Sequence, residues 1–208
     1  MQQRHVLVLH LVLAGAGLLS ACSSSPPAGS GASSTAASAA AMPAGAKAFA
    51  ELKPTAGQSA SGIVWFEQRG EQVQVTARIS GLKPGQEHGF HVHEKGDCSA
   101  PDATSAGGHL NPTGKPHGAP GGEHHAGDMP SLKADASGVA QDSFLVPGTV
   151  TGSGAGDFVG KAAVVHADRD DYATQPSGNS GARIACGVIL VPTTQSKPGA
   201  PKGVPNEM

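Results

Sequence analysis

Hydrophobic residues alternate with polar ones in several short segments of this chain. In EQVQVTARI, residues 71–79, the apolar side chains are Val73, Val75, Ala77 and Ile79, one at every second position. A period of two predicts a strand with one buried face. Similar short segments lie at 61–68, 88–93, 138–146, 160–166 and 183–191. No window shows the apolar stripe of an amphipathic helix.

Turn residues separate these segments and indicate the fold class. The 208 residues include 30 glycines and 16 prolines, and pairs such as Arg69-Gly70 stand between neighbouring strand segments. Short strands with Gly/Pro turns predict an all-β sandwich or barrel. A polar insertion over 94–137 interrupts the series. Loops of that length in a compact domain usually serve a function, and this one contains four histidines.

The first residues predict export. Residues 1–21 combine a short basic start with an apolar run too short for a comfortable membrane span, which indicates a signal peptide. The next cysteine completes Leu19-Ser20-Ala21-Cys22, which resembles a bacterial lipobox and implies a lipid on Cys22. The alternative is an ordinary signal peptide that contains a cysteine. We therefore expect a periplasmic lipoprotein of the cell envelope that is anchored to the membrane through Cys22.

Composition divides the remainder of the chain. Residues 22–47 are low-complexity Ser, Ala, Gly and Pro, which predicts a flexible tether, and residues 192–208 predict a disordered tail. One domain over 48–191 lies between them. Without the signal peptide, 13 basic residues face 16 acidic ones. This balance argues against a nucleic-acid partner, although it allows a local positive patch.

The cysteine count suggests one disulfide. If Cys22 carries lipid, Cys98 and Cys186 remain as a pair in an oxidising compartment. The alternative is two free thiols. A bridge between positions this far apart would stabilise the fold by about 4.5 kcal/mol on the loop-closure model.

Histidines mark the candidate chemistry, because eight of the ten lie between 88 and 166. His91 and His93 are two apart on a predicted strand, so both point to one face, as metal ligands or as a polar strand face. A histidine also ends the apolar segment AAVVH, at His166. The insertion adds imidazoles and a carboxylate, which suit Zn²⁺; these are His109, His117, His124, His125 and Asp128.

Five motifs in order resemble the bacterial copper,zinc superoxide dismutases. They are HGFHVHEKGDC, SAGGHLNP, HHAGD, VVHADRDD and GNSGARIACGVI, and the resemblance covers about residues 50–191. It implies an eight-stranded antiparallel Greek-key β-barrel with long metal-binding loops, holding one copper and one zinc per subunit. Family members include monomers and dimers, so the resemblance allows a homodimer.

The resemblance assigns ligands residue by residue. The implied copper ligands are His91, His93, His109 and His166. The implied zinc ligands are His109, His117, His125 and Asp128, so His109 bridges both metals. His124 is adjacent to His125 and is the alternative zinc ligand.

Further residues receive supporting roles. Asp170 matches the carboxylate that hydrogen-bonds one copper and one zinc histidine, here His91 and His117, while Asp171 beside it is interpreted as structural or solvated. Arg183 matches the arginine over the copper; its alternative is a surface arginine. His88 lies an odd number of positions from His91, so it faces the other side of the strand and is predicted to make a structural hydrogen bond.

The implied reaction converts superoxide to O₂ and hydrogen peroxide by alternating Cu(II)/Cu(I) reduction. Zinc is structural and tunes the bridging His109, which also passes a proton, while Arg183 attracts the anion. Lys95 and Lys115 are candidates for further steering or are simply solvated. The competing function is a metal buffer without turnover, which would not need Arg183.

Overall fold

The computed structural model describes residues 48–192, and strands make up its regular structure apart from one 3₁₀ turn at Thr104–Ala106. The strands are β1 (Ala48–Pro54), β2 (Ser61–Arg69), β3 (Gln72–Ser80), β4 (Glu87–His88), β5 (Phe90–His93), β6 (Leu132–Lys133), β7 (Ala140–Pro147), β8 (Ala162–His166) and β9 (Arg183–Val188). Every paired strand is antiparallel. The predicted all-β class is confirmed. No helix between residues 48 and 192 has the length and apolarity to span a membrane.

The predicted signal peptide, the lipidation at Cys22, the tether, and the tail from residue 193 onward lie outside the described residues. They stay predictions.

The strand order gives the predicted barrel topology. Seven strands form one sheet in the order β5-β8-β9-β1-β2-β3-β7, and β4 pairs with β6. Only Gly89 separates β4 from β5, and a bridge between Ala134 and Ala140 connects the end of β6 to β7. The pairing therefore runs through eight strand positions when β4 and β5 count as one. The connections β3–β4 and β7–β8 both pass over neighbouring strand positions, which is the Greek-key pattern.

The alternating segment at 71–79 forms β3, and its apolar side chains face the core. Val73, Val75, Ala77 and Ile79 are all fully buried, while β3 pairs along its length with β2 and with β7. Burying a Val or Ile side chain stabilises the fold by about 1.5–3 kcal/mol. The period of two in the sequence thus correctly predicts which face of β3 meets the core.

Two strands have no counterpart among the predicted segments. In β1, Ala48, Ala50 and Leu52 are buried at alternate positions, but small alanines give a weak hydrophobic signal. The other, β6, has two residues and depends on its pairing with β4. Neither strand stands out from the sequence alone, because the buried side chains of β1 are mostly small and β6 is very short.

A second, smaller apolar cluster attaches a loop to the outside of the barrel. All five residues of β8 are buried: Ala163 and Val165 belong to the main core, and Ala162 and Val164 pack under the loop that follows β5. The loop contributes Ala103, Ala106 and the half-buried Cys98, which forms a disulfide with Cys186 on β9. The predicted pairing is confirmed, and it fixes this loop beside the strand ends that carry the histidines.

Candidate metal centre

Strand β5 organises the site because two distant loop segments hydrogen-bond to its backbone. The Val92 N–H donates to the Gly127 carbonyl, and the Val92 carbonyl accepts from Leu110 N–H, both at 2.8 Å. These contacts set His109 opposite His93 and Asp128 opposite His91. The Gly/Pro loop has little regular structure of its own, so backbone pairing with β5 places its ligand side chains.

The last histidine comes from β8. The pairing of β8 with β9 is irregular between Val165 and His166, and the His166 N–H donates to the Gly89 carbonyl at 2.8 Å. The irregularity ends the regular pairing where the imidazole enters the site. As a result, His166 Nε2 lies 3.4 Å from His93 Nε2.

Four imidazoles form the first donor set. The nitrogens of His91, His93, His109 and His166 that could serve as ligands lie within 4.8 Å of one another, and all four residues are buried. The Nδ1 of His93 donates to the Gly107 carbonyl at 2.9 Å, and that of His166 donates to the Gly181 carbonyl at 3.1 Å. Because carbonyl oxygens only accept, each of these two histidines carries its ring proton on Nδ1, and both Nε2 lone pairs are free.

The other two imidazoles of this set have unpaired buried nitrogens. His91 directs Nε2 to Asp170 Oδ2 at 2.7 Å, and His109 directs Nδ1 to Asp128 Oδ1 at 2.8 Å. The remaining nitrogens, His91 Nδ1 and His109 Nε2, are buried without a hydrogen-bond partner. Buried polar atoms are rarely left unpaired, so these lone pairs fit an ion in the space between them.

A carboxylate completes the second donor set, which consists of His109, His117, His125 and Asp128. Asp128 Oδ1 lies 2.8, 3.0 and 3.3 Å from the Nδ1 atoms of these three histidines in that order, and His117 Nδ1 forms no hydrogen bond despite that distance. A tetrahedral ion with bonds near 2.0 Å separates its donors by roughly 3.3 Å. The spacing fits a zinc ion, and His109 belongs to both sets.

The charge states of these groups suit cations. Burial, reinforced by the neighbouring His109 and His166, lowers the pKa of His93 to about 2, and burial lowers the pKa of His166 to about 4. Burial and the same two neighbours also lower the pKa of His91. Burial would raise the pKa of Asp128, but hydrogen bonds from His109 and Gly118 N–H hold it well below its usual range. Neutral imidazoles and an ionised carboxylate are the forms that bind metals.

Two histidines lie outside both donor sets. His124 directs Nδ1 to the His125 carbonyl at 2.6 Å and is half-buried, so the loop presents His125 to the cluster. His88 is buried, and its Nδ1 donates to the His166 carbonyl at 2.9 Å. The structure therefore places a hydrogen bond where strand parity predicts one.

Arg183 forms part of the wall of a cleft above the histidines. Its guanidinium donates to the Ala103 carbonyl at 2.5 Å and to the Gly107 carbonyl at 2.6 Å. Gly107 also accepts from His93, so one carbonyl holds both groups. The cleft has a volume of about 420 Å³, and its lining includes His93, His109, His125, His166, Ser177 and Arg183.

Burial lowers the pKa of Arg183, but a guanidinium remains charged in proteins. Neither of the lysines predicted as candidates belongs to the lining of the cleft. The backbone of Lys115 contacts Asn111, a residue that lines the cleft. The Lys115 N–H donates to Asn111 Oδ1, and the Lys115 carbonyl accepts from Asn111 Nδ2. Arg183 is thus the cation of the cleft among the described residues.

Asp170 hydrogen-bonds one histidine of each donor set. Its Oδ2 accepts from His91 Nε2 at 2.7 Å, and its Oδ1 accepts from His117 Nε2 at 3.0 Å. Asp171, predicted as structural or solvated, is exposed and accepts from Ala173 and Thr174 within its own loop.

Gln175 is a functional contact that the sequence does not indicate: its side chain hydrogen-bonds the backbone of His117. A lone glutamine in a polar loop gives no signal for such a contact. Tyr172 likewise stands in no motif that marks it, although its hydroxyl pairs with Ser131 and its N–H donates to Asp170.

Comparison with known proteins agrees with this geometry. Residues 60–189 match the family model described as copper/zinc superoxide dismutase (SODC). The superoxide dismutase-like protein YojM of Bacillus subtilis is 41% identical over 146 residues, which cover 67% of this chain and 74% of the relative. Superoxide dismutase [Cu-Zn] 2 of Aquifex aeolicus is 40% identical over 148 residues, which cover 69% and 86%.

A solved structure gives the same result for the fold. The crystal structure of a SOD-like protein from Bacillus subtilis superposes with a TM-score of 0.61 at 36% identity, covering 67% of this chain and 95% of that one. The family match, the barrel and the two donor sets agree, and the chain belongs to the copper/zinc superoxide dismutase family.

Proposed function

We propose that this protein is an active superoxide dismutase that converts superoxide to O₂ and hydrogen peroxide. The observation that carries the proposal is a pair of buried donor sets that share His109 and open to a cleft beside Arg183. A metal buffer needs the donors, but it has no use for a guanidinium fixed at the mouth of the site by two carbonyls.

The donor chemistry separates the two ions. Four imidazoles suit copper, which leads the divalent affinity series, and three imidazoles with one carboxylate suit zinc. We assign copper to the first set and zinc to the second. Copper bound there would supply the one-electron oxidation and reduction of superoxide by alternating between Cu(II) and Cu(I), while zinc would keep one oxidation state and be structural.

His109 is suited to hold and pass a proton. Its Nε2 is buried without a partner on the side of the first donor set, and its Nδ1 faces Asp128 and the second set. It also forms part of the lining of the cleft. A proton on Nε2 would therefore lie within reach of a small anion in the cleft, as general acid catalysis requires.

Arg183 is suited to attract and orient that anion. Its guanidinium uses two donors on Ala103 and Gly107, which leaves further N–H groups for a ligand. Thr55 Oγ1 donates to the Arg183 carbonyl at 2.8 Å and so fixes the backbone as well. Positive charge at the mouth of a cleft raises the rate at which small anions arrive.

A dismutation assay on the copper- and zinc-loaded protein, with metal analysis of the same samples, tests the proposal. We expect His109→Ala to lose both metals and at least about 100-fold in activity, because outer-shell residues alone cost 10- to 100-fold in metal affinity. His124→Ala is the matched control, since His124 lies outside both sets. A fully loaded wild-type protein without dismutation would contradict the proposal.

A second pair of variants addresses steering of the anion. We expect Arg183→Ala to keep its metals but to lose about tenfold in activity and most of its salt dependence. Arg78→Ala is the control, because Arg78 is exposed and lies on β3, away from the cleft. An unchanged salt profile in Arg183→Ala would argue against steering.

We also propose a periplasmic location with a lipid anchor on Cys22. The disulfide between Cys98 and Cys186 supports an oxidising compartment, where such bridges persist. Fractionation of cells that produce the chain and its Cys22→Ala variant checks the anchor. Wild-type protein in the soluble fraction would contradict it. Assembly as a homodimer stays a prediction.

A further inference from the structure

The loop over 167–182 contacts one proposed zinc ligand at both its side chain and its backbone. Asp170 Oδ1 accepts from the ring of His117, as described above. The backbone N–H of His117 donates to Gln175 Oε1 at 2.9 Å, and Gln175 Nε2 donates to the His117 carbonyl, also at 2.9 Å. One side-chain amide therefore satisfies both backbone groups of a single residue.

This pairing replaces the regular structure that the segment around His117 lacks. His117 lies in a Gly/Pro stretch outside every strand, although its side chain is fully buried. A backbone without ladder partners has more freedom to move, and a ligand ring moves with it. The two bonds of Gln175 resemble the paired N–H···O bonds of neighbouring antiparallel strands. Among side chains that reach this far, the amide of glutamine supplies both a donor and an acceptor.

The next residues of the same loop line the cleft. Pro176 and Ser177 follow Gln175 directly and line the cleft with Arg183. The Ser177 carbonyl accepts from Ser180 Oγ at 3.0 Å. At Gly178 the backbone is left-handed, with φ +65°, and a Cβ would collide with Asp170 and the ring of His117. The loop thus lies directly against the proposed zinc ligand before and after the residues that face the cleft.

We propose that Gln175 is a positioning residue that couples the zinc ligand His117 to the cleft wall at Pro176 and Ser177. The proposal rests on the assignment of zinc to the second donor set. By fixing both backbone groups of His117, Gln175 holds the imidazole at the ion and slows zinc release. Because coupling between sites is reciprocal, zinc binding in turn orders the loop that forms the wall.

Zinc release to a chelator measures the first half of this coupling. We expect Gln175→Ala to release zinc about tenfold faster, at the low end of the range for residues that support metal ligands. Gln175 is exposed, so the variant should fold. Gln175→Glu keeps the acceptor but loses the donor, and it should release zinc faster than the wild type as well.

Gln141→Ala is the matched control, because Gln141 is an exposed glutamine of β7 that pairs through its backbone. It should release zinc at the wild-type rate. A wild-type rate in Gln175→Ala, or in Gln175→Glu, would overturn the proposed pairing.

Amide hydrogen exchange of residues 173–181 measures the second half. In the wild type, removing zinc from the copper-loaded protein should speed exchange across this segment by about tenfold. In Gln175→Ala the segment should exchange at the faster rate even with zinc bound. An equal zinc effect in both proteins would overturn the coupling, whatever the release rates.

A third variant separates this inference from the proposed function. His117→Ala should lose zinc if the second donor set is correct. Retention of zinc by His117→Ala would refute the zinc assignment itself. Loss of zinc by His117→Ala together with wild-type behaviour of Gln175→Ala would refute only the role of Gln175.

Discussion

The wall formed by β2 and β3 and the loops that build the metal centre are held together by different forces. The two strands pair in register over nine positions from Ser61–Arg69 to Gln72–Ser80, and their alternate side chains fill the core. The loops over 94–131 and 167–182 have almost no regular structure. A disulfide, bonds to β5 and two buried carboxylates attach them.

This difference determines how each part of the protein responds to a substitution. The stability of the wall is spread over many apolar contacts, so a single change weakens it without altering its geometry. The loops depend on a few specific links, and each link holds a ligand or the cleft. Loss of one link should therefore change the metal centre or the cleft, while the strands of the barrel keep their geometry.

Removal of the disulfide should give the largest loss of stability. In a Cys98→Ala/Cys186→Ala variant, we expect the free energy of unfolding to fall by about 4.5 kcal/mol, because the loop-closure constraint on the unfolded chain is lost. Chemical denaturation with and without metals measures this. Hydrogen exchange should rise first in the 94–107 loop. Identical unfolding of the wild type and the variant would show that the bridge does not stabilise the loop.

Truncation of a core side chain in the wall should lower the free energy of unfolding nearly as much as loss of the disulfide, but it should leave the metal centre unchanged. Phe66 on β2 is fully buried and contacts Phe158 edge to face, with ring centroids 6.1 Å apart. We expect Phe66→Ala to lower the free energy of unfolding by about 3–5 kcal/mol through the cavity that it leaves. Zinc release, followed as before, should stay at the wild-type rate. Faster zinc release would mean that packing in the wall also affects the loops that bind the metals.

Counted per pH unit, the smallest effect is the dependence of stability on pH, and it belongs to the loop-built site. The pKa values of His93, about 2, and His166, about 4, lie below the 6.5 of an unfolded histidine. Below pH 6.5 the unfolded chain therefore binds more protons, and the metal-free protein loses stability as pH falls from 6.5 toward 4. The slope is about 1.4 kcal/mol per pH unit for each such histidine.

Urea unfolding of the metal-free protein at several pH values checks this slope. A His166→Gln variant lacks one of the titrating groups, so its slope should be smaller by about 1.4 kcal/mol per pH unit. Equal slopes for the two proteins would contradict the contribution of His166.

Much of the barrel could be predicted because its signal is local. The alternation in β3 and the apolar residues of β2, β7 and β8 mark strands at the correct places. The strands β1 and β6 were missed, since alanines and a two-residue pairing leave little hydrophobic pattern. Strand parity also separates His88 from His91, because neighbouring positions face opposite sides of a sheet.

The amino-acid sequence by itself determined the strands of the wall, the cysteine pair and the supply of histidines, because each depends on periodicity or residue type. The tertiary structure decided which lone pairs converge. His109 and Asp128 meet β5 through backbone bonds formed across the loop, and His125 rather than His124 faces the cluster. Only the folded loop brings Gln175 to His117, a contact across 58 positions that no local pattern encodes.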